Sequence, residues 1–94
     1  MILYHGTTQK SLKKICLEGI LRMRREIPDE PTLPARVCLT DDIMEAREWG
    51  DGTIIVVNVP KKWIHKKGYE EMREFQVHHN IPASMFVRIE EACK

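Results

Sequence analysis

An α+β fold is what this chain predicts, because it reads as strand, helix, strand, helix and then mostly strands. Two apolar, β-branched or aromatic runs, residues 1–5 and Thr53 to Val59, suit buried strands, and two stretches with helix-spaced apolar positions stand between them. No internal repeat or low-complexity segment interrupts the pattern. At 94 residues the chain has room for one core, so residues 1–94 are expected to form a single domain.

The first strand closes at Gly6. Thr7 or Thr8 then caps a helix with Leu12, Ile15 and Cys16 on one face, and Gly19 stops it. Ile20 and Leu21 return to the core. From Arg22 to Pro34 the prolines Pro28, Pro31 and Pro34 exclude a helix or central strand, which predicts a long loop of the kind that often carries function.

Val37 to Leu39 reads as the second strand. Thr40 is the expected cap of a second helix, with Asp41 and Asp42 favourably placed against the dipole of its first turn, ending near Trp49 and Gly50. Asp51-Gly52 turns the chain into the run from Thr53 to Val59, whose continuous apolarity predicts a strand covered on both faces and closed by Pro60. A polar connection through Gly68 leads to Glu74-Phe75-Gln76-Val77-His78, where alternation predicts one wet face. After Ile81-Pro82, Met85 to Glu90 offers a last strand with Phe86 and Arg88 on one side and Val87 and Ile89 on the other.

Composition narrows the function classes. Fifteen Lys and Arg against fourteen Asp and Glu give a net charge of +1, so there is no global field of the kind that draws in nucleic acid, although Arg22, Arg24 and Arg25 and then Lys61, Lys62, Lys66 and Lys67 form local basic clusters. Cys16, Cys38 and Cys93 have no CxxC spacing and an odd count, which suits a reducing cytoplasm; Cys16 and Cys38 fall in predicted core elements. No apolar stretch approaches the roughly 20 residues of a membrane span, and no membrane partner is expected. His78 and His79, adjacent on a predicted strand, point to opposite faces, and no metal site is assigned.

Three separated pieces carry a resemblance. His5-Gly6-Thr7, then Val37-Cys38-Leu39-Thr40 with Ala46 and Trp49, then Glu74-Phe75-Gln76-Val77 followed by Ile81-Pro82, resemble in this order the motif segments of ADP-ribosyltransferases. The resemblance covers most of the chain. It implies two small, mostly antiparallel sheets with two short helices around a cleft for NAD, the co-substrate. It further implies that Glu74 and His5 are catalytic, that His5, Gly6, Thr7, Cys38 and Trp49 bind NAD, and that ADP-ribose passes to an acceptor, either protein or nucleic acid.

The residue types fit that chemistry. Cleavage of the nicotinamide glycosidic bond builds positive charge on the ribose, which calls for a carboxylate such as Glu74 and for groups that fix the leaving base and the ribose hydroxyls. Gly6 would let the backbone approach the ligand. Where the family's second strand often has a tyrosine against nicotinamide, this chain has Cys38. Trp49 or Tyr69 takes the tyrosine's place, or the nicotinamide pocket is weakened, or the chain is a non-catalytic NAD-fold module. The segments 19–25 and 81–86 are also similar to RNA 2′-phosphotransferases, which use NAD with arginines rather than a glutamate. Arg24, Arg25 and Arg36 are the candidates to hold a phosphate or the NAD diphosphate.

Overall fold

The computed structural model describes residues 1–22, 36–65 and 74–91. Six strands and two helices follow in the order β1 (Ile2–Thr7), α1 (Gln9–Glu18), β2 (Val37–Thr40), α2 (Ile43–Glu48), β3 (Thr53–Asn58), β4 (Ile64–His65), β5 (Glu74–Val77) and β6 (Phe86–Glu90), with 3-10 turns at Lys61–Trp63 and Ala83–Met85. The architecture is α+β. All six strands pair antiparallel in one sheet of order β4-β5-β2-β1-β3-β6, where two separate sheets were expected.

One seam in this sheet is thin. β1 pairs with β3 along its whole length, from Ile2↔Asn58 to Thr7↔Thr53, but with β2 only through Tyr4↔Thr40. β2 in turn pairs fully with β5, from Val37↔Val77 to Thr40↔Glu74. The sheet is therefore two three-stranded halves joined by a single residue pair.

Period-two alternation sorts the side chains onto two faces. Leu3, Val37, Leu39, Ile55, Val57, Phe75 and Val77 form the larger core with Ile20, Val59 and Ile81, and Leu12 and Ile15 of α1 pack on it. On the opposite face Ile54 and Val56 meet Ala46 of α2, with Tyr4 and Ile43 beside them. Thr53 to Val57 are all buried, as expected of a strand covered on both sides.

Local chemistry explains the helix ends. Thr8 has an extended backbone and its hydroxyl accepts from the Ser11 N–H, so of the two candidate threonines Thr8 caps α1. Gly19 ends that helix at φ +79°, a left-handed conformation that favours glycine. α2 departs from expectation: Asp42, not Thr40, is its cap, accepting from the Met44 N–H at 3.0 Å. Thr40 belongs to β2, fully buried, and its hydroxyl accepts from the Asp42 N–H instead.

Three further expectations are corrected. Cys16 is exposed, because it lies one position beyond the Leu12–Ile15 stripe that faces the sheet. β5 has no wet face, since Glu74 and Gln76 are buried along with Phe75 and Val77. In β6 a bulge against Val56/Val57 resets the alternation, so Phe86 and Ile89 both reach the larger core while Val87 is exposed. Arg24, Arg25, Tyr69, Cys93 and most of the Arg22–Pro34 loop lie outside the described residues. Among the described residues no helix is long and apolar enough to cross a membrane.

Candidate functional site at the β1–β2 seam

The direction of the backbone groups on β1 follows from its partners. The Met1 and Thr7 carbonyls accept from the Val59 and Asp51 N–H groups on the β3 side, so odd-numbered residues direct their N–H and C=O toward β3 and even-numbered residues toward β2. Tyr4 uses that direction to pair with Thr40. Gly6 is next on this side, and a continuing ladder would set it against Cys38. The described ladder stops before that pair. The N–H and C=O of Gly6 thus face the seam side by side.

His5 explains the stop. Its Nδ1 lies 3.1 Å from the Cys38 carbonyl oxygen, the acceptor that the Gly6 N–H would otherwise meet. A carbonyl only accepts, so Nδ1 carries the proton and Nε2 of the neutral ring is left as an acceptor. Burial lowers the His5 pKa from its ordinary 6.5 by disfavouring the charged ring, and the bond to Cys38 offsets part of that effect. The ring is neutral at physiological pH.

A cavity of about 430 Å³ opens at this seam, lined among others by His5, Thr7, Ser11, Lys14, Arg36 and Cys38. Its volume falls in the range of roughly 300–1,000 Å³ common for small-molecule sites. Arg36, in front of β2, is 6 % exposed, and its Nε and Nη1 are buried without a hydrogen-bond partner. That is an expensive arrangement: removing one member of a buried ion pair, which leaves such a charge alone, typically costs about 3–5 kcal/mol. Lys14 also lines the cavity, 3.9 Å from Glu18.

The opposite side of the seam holds a different set. Thr40 pairs with Glu74, which sets the Glu74 carboxylate on the α2 face, away from the Phe75 and Val77 side chains of the larger core. A Cβ on Gly6 would lie 1.9 Å from the Ala46 carbonyl oxygen and 2.9 Å from the Trp49 Cβ. The missing side chain of Gly6 therefore admits α2, rather than leaving open space for a ligand as the sequence suggested.

Of the residues singled out in the sequence, the cavity collects His5, Thr7, Arg36 and Cys38. Gly6, Trp49 and Glu74 belong to the α2 side, and Glu74 stands two strands from β1 in the sheet order. Arg24 is outside the described residues. Ser11 and Lys14 of α1 are cavity residues that the sequence did not single out; only their position on the helix turn above Ile15 and Glu18 could have signalled it. Among the described residues no group of three or more His, Cys, Asp or Glu is placed to hold a metal ion.

Fold and site together define a small α+β domain with a split sheet and a cavity at the split. Comparison with known proteins adds no relative: no protein-family model matches the chain, and no curated protein matches it at a significant level.

Proposed function

We propose that this protein is an NAD-dependent ADP-ribosyltransferase-like enzyme that cleaves the nicotinamide glycosidic bond and transfers ADP-ribose to a protein or nucleic-acid acceptor. The observation that carries the reading is the seam: His5 holds the Cys38 carbonyl, and the described β1–β2 ladder stops before the Gly6–Cys38 pair, beside a cavity lined by His5, Thr7 and Cys38, so the reading takes the Gly6 N–H and C=O as the edge for the ligand. A carboxamide is the complementary group. Its C=O accepts from an N–H and its NH₂ donates to a C=O, so one strand edge holds it at two points.

The dinucleotide, when bound, supplies the glycosidic bond whose cleavage leaves positive charge on the ribose. In this reading the Gly6 edge fixes the nicotinamide carboxamide and the half-buried Trp49 packs beside the ring. Nε2 of neutral His5 accepts from a ribose hydroxyl. Glu74 is buried on the same face as Cys38 and Thr40, where a carboxylate stabilises positive charge more strongly than it would in water. In this reading NAD lies at the β1–β2 seam, with its nicotinamide end on the α2 face and the rest in the cavity on the α1 face.

A second reading has an observation of its own. The unpartnered Arg36 fits enzymes that pass ADP-ribose to an RNA 2′-phosphate through arginines. Incubating the purified protein with labelled NAD, cell extract and a 2′-phosphorylated RNA separates the two. Label on protein, or on nucleic acid lacking that phosphate, supports the general transferase; label confined to the 2′-phosphorylated RNA supports the phosphotransferase; unaltered NAD in every mixture contradicts both.

A further inference from the structure

We propose that β6 is the strand through which two copies of this chain pair, antiparallel and about a two-fold axis, so that their sheets run together. β6 stands at the end of the sheet order, with β3 on one side and no described strand on the other. Such an edge presents unpaired N–H and C=O groups and is a template for another strand.

The direction of the backbone groups shows what this edge offers. In the β1–β3 ladder the odd-numbered residues of both strands turn their N–H and C=O toward each other, Leu3 against Val57, His5 against Ile55 and Thr7 against Thr53, so Ile54 and Val56 turn theirs toward β6. Their partners there are Glu90 and Arg88. Ile89, between these two, therefore directs its N–H and C=O away from the sheet. Arg88 and Glu90 share the α2 face with Val56 and Ile54, whereas Ile89 reaches the larger core. Val87 on the same strand leaves an apolar side chain 52 % exposed.

Charge selects both the occupant and its register. Two-fold pairing that sets Ile89 against the partner's Ile89 lets the two exchange both backbone hydrogen bonds. It also sets Arg88 against the partner's Glu90, and Glu90 against the partner's Arg88. Arg88 and Glu90 already lie 3.1 Å apart within one chain, so the paired strands would carry four charges of alternating sign. A slide of two residues one way sets Arg88 against the partner's Arg88, and the other way sets Glu90 against the partner's Glu90; like charges directly opposite are destabilising. A peptide with charges of one sign would meet a like charge at one of the two positions, whereas a second copy meets none. β3 separates β6 from β1, so this pairing leaves the β1–β2 seam clear and does not depend on the chemistry assigned there.

Sedimentation velocity of the full chain, from micromolar to millimolar concentration, tests the pairing on the wild type, on Arg88→Glu, on Glu90→Arg and on an equimolar mixture of the two variants. Both substitutions lie at the surface, and both variants are expected to keep the far-UV spectrum and melting temperature of the wild type. The wild type should pass from monomer to dimer as concentration rises, with weak affinity, because one strand ladder is a small interface. Each variant alone sets like charges against each other at both pairs and should lose self-association at least about tenfold. The mixture should dimerise about as well as the wild type, since one chain then carries two acids and the other two bases. A role confined to one chain cannot produce that recovery, because within each variant the two charges stay alike.

A wild type that remains monomeric throughout overturns the proposal and leaves the edge to an extended segment of another protein. Variants that self-associate like the wild type, or a mixture as monomeric as its components, overturn it as well.

Discussion

Nδ1 of His5 donates to the Cys38 carbonyl, and burial holds the pKa of the ring below 6.5. Well above pH 6.5 the ring is neutral in the folded and the unfolded chain alike. Below it the unfolded chain takes up a proton that the folded chain resists, so stability falls with falling pH until the lowered folded pKa is reached. Urea unfolding at a series of pH values below about 6.5 should show that slope, and His5→Gln should remove this residue's share of it. The same protonation would turn Nε2 from acceptor to donor. Turnover should therefore fall on the acid side of neutrality in a limb that His5→Gln abolishes.

The residues themselves were legible in different degrees. His5, Gly6 and Cys38 are recognisable in the sequence as neighbours at a strand end and a strand start, but their meeting depends on a ladder that stops after one pair, which no local pattern encodes. Glu74 alternates with Phe75 like a solvent-facing residue. It is buried in β5 opposite Thr40 of β2, a tertiary fact. Arg36 was legible as one of three arginines fit for a phosphate; its burial, which no local pattern encodes, is what the structure adds.

At the scale of elements, α1 and β3 follow directly from pattern. The threonine cap, the Leu12 and Ile15 stripe and the left-handed Gly19 fix α1, and β-branched continuity fixes β3. α2 was harder because its six residues make little helical pattern, and two acidic residues compete with Thr40 for the cap. The bulge in β6 was invisible, since it arises from pairing with β3 rather than from a glycine or proline in the strand. Gly6→Ala belongs to this scale: its Cβ would overlap the Ala46 carbonyl, so α2 must move. It should destabilise the fold by about 1–3 kcal/mol, read from the denaturation midpoint, and displace Trp49, read from tryptophan fluorescence.

At the scale of the molecule, the six strands among the described residues form one sheet whose two halves meet at Tyr4↔Thr40. One face gathers most of the buried apolar side chains among the described residues, and both halves contribute to it, Leu3 and Ile55 from one and Leu39 and Phe75 from the other. The larger core, rather than the strand ladder, therefore holds the halves together. Leu39→Ala, at a fully buried site in the β2 half, should cost about 2–5 kcal/mol in equilibrium unfolding, with all probes losing signal in one transition. A two-step transition would show that the halves are separable.

The α+β class was legible because element order alone decides it; the joining of the strands into one sheet was not, because pairing partners lie far apart in the chain. Pocket and seam come from that pairing.

Nicotinamide release from NAD by the purified protein, with cell extract present to supply acceptors, tests the central claim most directly. The wild type is compared with Glu74→Gln, which keeps the size of the buried side chain and removes its charge. Release by the wild type, reduced about 10²- to 10³-fold in the variant, is the expected result for a carboxylate facing the developing ribose cation. Release that survives the substitution unchanged, or no release from either protein, would contradict the account.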